Sequence, residues 1–176
     1  EMAHVGRFGS LESIAKTKGE IVSELPDGGE AILNLDSAWF EQWYQLLGSK
    51  RSCCSFSLKN PTAQLRAEMI ELNGMGCPAF QLETPVGAVK VQLQLRGKHN
   101  VANALAAAGA ALAAGVSLEC ISAGLAELAP VPGRGNSAAG VAGAQIIDDS
   151  YNANPDSVKA AVELLASLQG TRILVL

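Results

Sequence analysis

Residues 146–157, with the sequence IIDDSYNANPDS, form the stretch of this chain that is richest in groups able to do chemistry. Two carboxylates, two amides, a tyrosine and a serine fall within positions 148–155, which is more hydrogen-bonding capacity than a structural loop needs. The two isoleucines before them predict a buried strand, and open α/β sheets bind ligands beyond the carboxyl ends of their strands. The pattern therefore predicts a ligand-binding loop.

A lysine in the first predicted helix is a second candidate. Lys18 lies between Ile14 and Ile21 at the spacing of one apolar face, whereas Lys16 points elsewhere. Burial leaves more of an amine neutral, and a neutral amine reacts with dissolved carbon dioxide to form a metal-binding carbamate. The alternative is a lysine whose stem packs while its ammonium group reaches solvent, and the pattern alone favours that alternative.

Two histidines, an asparagine and an arginine lie in loops where they can meet a ligand. His4 precedes the first predicted helix, and His99 precedes an alanine-rich helix, whose free N–H groups favour anions and acceptors. Asn100 either caps that helix or faces a nucleotide together with His99, and the sequence leaves both possibilities open. Arg134 follows the predicted hinge at 130–133, where a cation can reach a phosphate as two domains close.

Two nucleotide-binding motifs are missing from the sequence. Neither GxxxxGK[ST] nor GxGxxG occurs in the 176 residues. If the protein uses ATP, we expect its phosphate-binding loop upstream of Glu1. The chain opens on a residue other than methionine and stops within an apolar segment, so we expect a fragment of a longer protein.

The elements that would position these residues predict an α/β fold in two parts, 1–131 and 132–176. The first part is expected to be a parallel sheet with helices and an antiparallel insert at 64–95. Its predicted elements are helices near 10–25, 39–47, 100–114 and 117–128, with short buried strands at 31–35 and 52–58. Ser10 and Ser117 are the expected caps of two of these helices.

The second part reads as the start of a Rossmann-like domain. After a small-residue loop at 137–143, a strand precedes a helix that Asn154 caps and Pro155 begins. A second strand at 172–176 would complete a βαβ unit. The expected buried face of the helix consists of Val158, Ala161, Val162, Leu165 and Leu168.

Composition narrows the class of protein. Apolar residues make up 48% of the chain and charged residues 17%, which is typical of a soluble globular protein. The net charge of −4, without a basic stripe, argues against nucleic-acid binding. The four cysteines include no CxxC pair and predict free, buried thiols in a reducing cytoplasm. No apolar run reaches the roughly 20 residues of a membrane span.

The order of the motifs resembles the Mur ligase family, from the latter part of the central ATPase domain into the carboxyl-terminal domain. The matching segments are Ala3-His4, FGS at 8–10, IAKTKGEI at 14–21, NLD at 34–36, GKHNVANALAA at 97–107, VPGR at 131–134 and DDSYNANP at 148–155. Two segments depart from the family pattern. RGK at 96–98 replaces the usual PGR before the histidine, and Glu1-Met2 is an unusual lead-in.

The resemblance implies an ATP-dependent amide ligase of peptidoglycan synthesis. ATP would phosphorylate a carboxylate of a UDP-N-acetylmuramoyl-tripeptide, and an incoming amine would attack the acyl phosphate. The tyrosine-containing form of the acidic motif, DDSYNANP, resembles the motif in the branch of the family that adds D-alanyl-D-alanine. The implied cofactors are ATP and Mg²⁺, and the implied protein is a cytoplasmic monomer. Without a phosphate-binding loop, these 176 residues alone are expected to be inactive.

Residue roles follow from the resemblance at matching positions. Lys18 corresponds to a carbamylated lysine that helps bind magnesium, which reverses the preference for a packed, solvent-reaching lysine, and His4 corresponds to a metal ligand. Asn100 corresponds to an adenine contact, and Arg134 to a hinge arginine near the phosphates. The other implied residues of the nucleotide site are His99, Asn34, Asp36 and Asp149, the last of them near the ribose.

Two other functions remain open at this point. Folylpolyglutamate synthases share the architecture and the carbamate lysine, but the tyrosine-and-asparagine form of the acidic motif disfavours them. A non-catalytic interaction or remnant domain is the other alternative, because the chain contains no phosphate-binding loop.

Overall fold

A mixed five-stranded sheet frames the computed structural model, which describes residues 9–176. Its strands lie side by side in chain order: β1 (Glu30–Asn34), β2 (Ser52–Ser57), β3 (Leu65–Leu72), β4 (Pro78–Thr84) and β5 (Gly87–Gln92). The first three are parallel neighbours, and β3 to β5 form antiparallel hairpins. The α/β class is confirmed. The antiparallel strands within 64–95 extend the parallel sheet, because Phe56 pairs with Leu65.

Helices cover both faces of this sheet. One small apolar cluster packs α1 (Leu11–Ser23) and the turn after α2 (Phe40–Gln45) on one face of β1: Val22 and Leu47 lie against Ala31 and Leu33. On the opposite face, α3 (His99–Ala113) and α4 (Leu118–Glu127) bury the larger cluster. The fully buried members of that cluster are Leu65, Leu82, Val91, Val101 and Leu105.

Side-chain caps begin two of these helices at the predicted residues. The Ser10 hydroxyl accepts a hydrogen bond from the Ser13 N–H at 3.1 Å. The Ser117 hydroxyl accepts one from the Cys120 N–H at 3.3 Å. Each cap satisfies a donor that the first helical turn leaves unpaired.

The buried face of α1 differs from the predicted one. Gly19 is buried, whereas Lys18 is exposed and Ile21 is 73% exposed. The Trp43 indole determines this rotation, because its N–H donates to the Ala15 carbonyl at 2.8 Å. A Cβ on Gly19 would lie 2.9 Å from Leu46 Cδ1 and 3.1 Å from Trp43 Cδ1, so a larger residue would have to displace these side chains. The prediction that Lys18 sits on a buried face was therefore wrong.

The remaining elements follow the proline-rich segment. Strands β6 (Asn136–Ala139) and β7 (Gln145–Asp148) form an antiparallel pair joined through a 3₁₀ turn at Val141–Gly143. Most of the segment predicted as a loop is therefore ordered as β6 and this turn. Helix α5 (Pro155–Ser167) begins as predicted, since the Asn154 side chain accepts hydrogen bonds from the Asp156 and Ser157 N–H groups, both at 3.0 Å.

The strand predicted at 172–176 is absent from the structure. Strands exist only by pairing, and no strand of the described chain lies beside these residues. The buried face of α5 is also shifted. Leu164 is 8% exposed, whereas Val162, a predicted inward residue, is 43% exposed. Leu164 packs on the turn after β3, where a Cβ on Gly76 would lie 2.6 Å from its Cδ1.

The prediction of free thiols is confirmed for the four cysteines, but the prediction that they are buried holds fully only for Cys54 and Cys77. All four are unpaired: Cys54 and Cys77 are buried, Cys53 is half-buried and Cys120 is exposed. Burial, together with the nearby Glu30 carboxylate, raises the pKa of the Cys54 thiol to about 11. Cys54 is therefore a core residue rather than a nucleophile. Within residues 9–176, no helix has the length and apolar character needed to cross a membrane.

Candidate functional site

A cleft of about 730 Å³ lies where the start of α3 faces the segment that runs from the proline-rich hinge to α5. One side is apolar and is built by the segment after β5, the body of α3, the end of α4 and the residues that follow α4. Its residues are Leu93, Leu95, Ala104, Ala107, Leu125, Leu128, Ala129 and Val131. Four predicted nucleotide-site residues also line the cleft, namely His99, Asn100, Arg134 and Asp149. An apolar cleft with a few convergent polar groups is the usual form of a small-molecule site.

The loop before α3 holds its polar residues through backbone contacts. Gly97 has a φ of +87°, which side-chain-bearing residues rarely adopt, and its N–H donates to the Gly76 carbonyl at 2.8 Å. The His99 ring lies directly over this glycine, because a Cβ there would be 2.8 Å from both Cε1 and Nδ1 of His99. Gly97 therefore allows the sharp turn that brings the imidazole to the cleft.

Asn100 is a helix residue rather than the cap of α3. The cap is Lys98, and its side chain makes no capping hydrogen bond. The Asn100 amide nitrogen donates to the Arg96 carbonyl at 2.7 Å and lies 3.1 Å from His99 Nε2, while its oxygen accepts from Asn103 at 3.0 Å. The cap interpretation is therefore wrong. The amide is held in a fixed orientation at the cleft.

Arg134 is positioned by an aromatic ring from the acidic motif. Its guanidinium carbon lies 3.9 Å from the centroid of the Tyr151 ring, in a cation–π contact. The Tyr151 N–H donates to the Gly133 carbonyl at 3.0 Å, which ties the 148–155 loop to the hinge. Both residues line the cleft. An exposed cation held in this way is available to an anionic ligand.

The acidic motif divides its polar groups between shaping the turn and facing the cleft. Asp148 accepts from the Ser150 N–H at 3.1 Å, and its hydrogen bonds with Ser150 lower the pKa of this carboxyl. Asn152 accepts from the Asn154 N–H at 3.3 Å. Asp149 lines the cleft instead. Asp148 therefore stabilises the turn, whereas Asp149 lines the cleft.

His99 lies in an environment with opposing effects on its charge. Desolvation of the ring lowers the pKa of His99, and the carboxylates of Asp149 and Glu163 partly oppose that shift. The neutral imidazole is therefore favoured more than in water. A neutral ring presents one donor and one acceptor, which suits hydrogen bonding to an uncharged part of a ligand.

Asn34 and Asp36 lie apart from this cleft, at the carboxyl end of β1. The Asn34 side chain accepts from the Asp36 N–H at 2.9 Å. The Asp36 carboxylate accepts from the Ser57 hydroxyl at 2.6 Å and from the Leu58 N–H at 2.9 Å. These bonds join the loops after β1 and β2. Neither residue is among those that line the cleft.

The implied metal residues are not gathered in the described part of the chain. His4 lies outside the described residues, and Lys18 is exposed on α1 and does not line the cleft. Residues 9–176 contain no group of three or more His, Cys, Asp or Glu side chains able to hold a metal ion. The described residues alone therefore do not form a magnesium site.

Three cleft residues were assigned no role from the sequence. Tyr151 belongs to the acidic motif, and Asn103 stands three positions after Asn100, at the spacing of one helix face. The burial of Arg96 was not predicted. This residue is 5% exposed, and its Nη1 is buried without a hydrogen-bond partner among the described residues. The sequence marks Arg96 only as a departure from the family's PGR pattern, and such a departure does not predict that the side chain is buried.

Comparison with known sequences points to one family. The profile of the Mur ligase middle domain matches residues 1–111. The UDP-N-acetylmuramoyl-tripeptide–D-alanyl-D-alanine ligase of Escherichia coli (strain K12) is 44% identical over 173 residues, covering 98% of this chain and 38% of that protein. The ligase of the same name from Mycobacterium bovis is 36% identical over 171 residues, covering 93% of this chain and 32% of that protein. The chain thus spans about a third of the length of these relatives.

Solved structures give the same result. A crystal structure of MurF from Acinetobacter baumannii superposes with a TM-score of 0.90 at 37% identity, covering 98% of this chain and 37% of that one. The MurF ligase from Thermotoga maritima, crystallised in complex with ADP, superposes with a TM-score of 0.78. Its identity is 24% over 96% of this chain and 38% of that one, so it supports the fold alone.

Proposed function

The chain belongs to the Mur ligase family, and from that premise we propose that it is the nucleotide-binding part of an enzyme that joins D-alanyl-D-alanine to UDP-N-acetylmuramoyl-tripeptide. Because the chain spans 38% of its E. coli relative, this activity is proposed for the whole protein. The single observation that carries the proposal is the convergence of His99, Asn100, Arg134 and Asp149 on one cleft. Three separate sequence motifs supply these four residues.

The proposed reaction proceeds in two steps. The tripeptide carboxylate attacks the γ-phosphorus of ATP, so that a C–O–P bond forms and ADP leaves with the electrons of the broken P–O bond. The amine of D-alanyl-D-alanine then attacks the acyl carbon and gives a tetrahedral intermediate. Collapse of this intermediate expels inorganic phosphate, and loss of the amine proton leaves the amide.

The cleft residues are proposed to hold the nucleotide for this reaction. We assign the fixed Asn100 amide to the adenine and the neutral His99 ring to the same end of the ligand. Asp149, on the opposite wall, accepts hydrogen bonds from the ribose hydroxyls. Arg134, held by its cation–π contact with Tyr151, pairs with phosphate oxygens, an interaction suited to a guanidinium group.

Residues away from the cleft receive other roles. We propose that Asn34 and Asp36 maintain the loops after β1 and β2, since their acceptors bind backbone and hydroxyl donors there. Lys18 and His4 are proposed for the metal side of the whole enzyme. In the whole enzyme, the Lys18 amine would react with carbon dioxide and lose a proton, and the resulting carbamate would be one of the groups that hold magnesium.

The location and assembly follow from the same proposal. ATP and UDP-linked substrates are intracellular, so we propose a cytoplasmic enzyme, and we propose that it acts as a monomer. The 176 residues by themselves should not turn over ATP, because they contain no GxxxxGK[ST] loop to hold its phosphates.

The test is a substrate comparison with the full-length protein. UDP-N-acetylmuramoyl-tripeptide, D-alanyl-D-alanine and ATP are incubated with it, and the pentapeptide product is measured by mass spectrometry. A matched reaction offers folate and glutamate in place of the two peptidoglycan substrates. Product in the first reaction alone supports the proposal. Glutamate addition to folate, with no pentapeptide product, would overturn it.

A further inference from the structure

Arg96 stands out as a buried cation in the wall of the cleft. It lies between β5 and α3, is 5% exposed, and lines the cleft beside His99 and Asn100. Its Nη1 is buried and has no hydrogen-bond partner among the described residues. Buried side-chain donors in native proteins are nearly always paired, so an unpaired one next to an open cleft indicates a ligand acceptor.

The character of the neighbouring wall narrows the kind of acceptor. Arg96 follows Leu93 and Leu95, and the apolar side of the cleft continues through Leu125 and Leu128. A phosphate placed against leucines would lose its hydration, whereas a planar base is largely apolar on its faces and carries acceptors only on its edge. The Arg96 side of the cleft therefore suits a base.

The link between Arg96 and Asn100 supports the same assignment. The Asn100 amide donates to the Arg96 carbonyl at 2.7 Å, so the two residues form one unit at the start of α3. The exposed cation of the cleft, Arg134, belongs to the hinge and is held by Tyr151. The cleft thus carries one guanidinium on each wall, and only the hinge guanidinium is open to solvent.

We propose that Arg96 is a specificity-determining residue whose guanidinium group donates to an acceptor on the edge of the purine base. The inference rests on the proposed function, because it requires an adenine nucleotide in the cleft. It adds a residue at the position where RGK departs from the family's PGR pattern. A guanidinium group recognises base edges through hydrogen bonds of defined geometry.

The experiment measures ligand binding to the 176-residue chain by isothermal titration and by NMR. The probes are adenosine, ADP and inorganic pyrophosphate, which separate the base from the phosphates. Arg96→Met removes the donor at similar length, and Arg96→Lys keeps the charge without the planar fork. Lys98→Met is the matched control, since Lys98 is exposed two positions away in the same loop.

The expected result is a loss confined to ligands that contain the base. Arg96→Met should weaken adenosine and ADP about tenfold or more, the scale of one hydrogen bond from a charged donor, and leave pyrophosphate unchanged. Arg96→Lys should recover only part of the loss, and Lys98→Met should leave adenosine binding unchanged. The thermal midpoint of ligand-free Arg96→Met should be equal to or above that of the unsubstituted chain, because an unpaired buried donor has been removed.

Each other outcome has a distinct meaning. If Arg96→Met binds adenosine as well as the unsubstituted chain does, Arg96 has no ligand role and the inference is overturned, while the proposed function stands. Weaker pyrophosphate with unchanged adenosine would overturn it in favour of a phosphate contact. If the unsubstituted 176-residue chain binds neither adenosine nor ADP, it holds no base for Arg96 to recognise and the inference is overturned, whereas the activity proposed for the whole protein is decided by the substrate comparison.

Discussion

The cleft at the start of α3 and the surface around α1 and β1 both contain residues that the family resemblance singles out, but the structure treats them differently. At the cleft, local contacts orient each side chain: Gly97 turns the backbone under His99, and Tyr151 holds Arg134. Around α1, burial does not distinguish Lys18 from Lys16, since both are exposed. The described chain thus organises the nucleotide side of the proposed site more completely than the metal side.

The largest expected effect tests the less organised region. In the full-length enzyme, Lys18→Ala should lower the ligation rate by about 10²–10³-fold, the cost of losing one preorganised electrostatic group at the transferring phosphate. Lys16→Ala, two positions away and also exposed on α1, should leave the ligation rate nearly unchanged. Steady-state rates and circular dichroism of both variants check this. Equal losses in the two variants would remove the basis for assigning the carbamate to Lys18.

Chemical rescue refines the same prediction. Short-chain carboxylates added to Lys18→Ala should restore part of the activity, because they supply the anion that the carbamate would provide. Lys16→Ala should not respond. A loss that no carboxylate reverses, accompanied by a lower thermal midpoint, would indicate a structural lysine.

The next effect concerns the contact that holds one wall of the cleft. Leu164→Ala should lower the free energy of unfolding by about 2 kcal/mol, since the leucine side chain fills the space above Gly76. Val162→Ala, on the exposed side of the same helix, should cost much less. Urea denaturation of the two variants gives the comparison. Similar losses would show that α5 does not dock through Leu164.

Asp36 should affect stability rather than nucleotide binding. Asp36→Ala removes an acceptor shared by Ser57 and Leu58, and it should cost about 1 kcal/mol at this exposed position without changing ADP affinity. Asp27→Ala is the control, because its ion pair with Lys50 is largely solvated and contributes little. A large loss of ADP affinity in Asp36→Ala would instead return Asp36 to the nucleotide site.

The smallest effect is the titration of His99. Its pKa in the folded chain should lie below 6.5, because desolvation outweighs the nearby carboxylates. The folded state therefore binds this proton more weakly than the unfolded state does. The stability contribution of neutral His99 is fully present above about pH 6.5 and is lost as the pH falls towards the folded pKa.

NMR of the imidazole protons measures this pKa directly. Asp149→Asn should lower the pKa of His99 further, since the Asp149 carboxylate raises it. Lys98→Met changes a charge in the same loop without touching the two carboxylates and serves as the comparison. A His99 pKa above 6.5, or one that rises in Asp149→Asn, would contradict the described electrostatics.

Local sequence signals predicted the parts of the molecule that local physics decides. Ser10, Ser117 and Asn154 each cap the helix expected of them, because a cap depends on a hydrogen bond within three residues. Apolar spacing also found α3 and the alternating strands of the sheet. The resemblance named the four residues that line the cleft, although spacing alone left Asn100 open between two roles.

The predictions that were wrong concern features that depend on contacts between distant parts of the chain. The face of α1 is set by Trp43, which lies 28 positions after Ala15, and periodicity alone cannot reveal that partner. The burial of Leu164 depends on Gly76 in the same way. A strand at 172–176 needs a neighbour to pair with, and Arg96 becomes buried only when the cleft forms around it. Such contacts are tertiary, so sequence patterns underdetermine them.

The central claim is that an adenine nucleotide binds in the cleft between the start of α3 and the hinge. The most direct test is chemical-shift mapping of the isotope-labelled 176-residue chain during titration with ADP. The account predicts that the largest shifts fall within 95–103 and 131–157. Largest shifts in the smaller pocket between α2 and the start of β2, near Arg51 and Cys53, or no shifts at all, would contradict it.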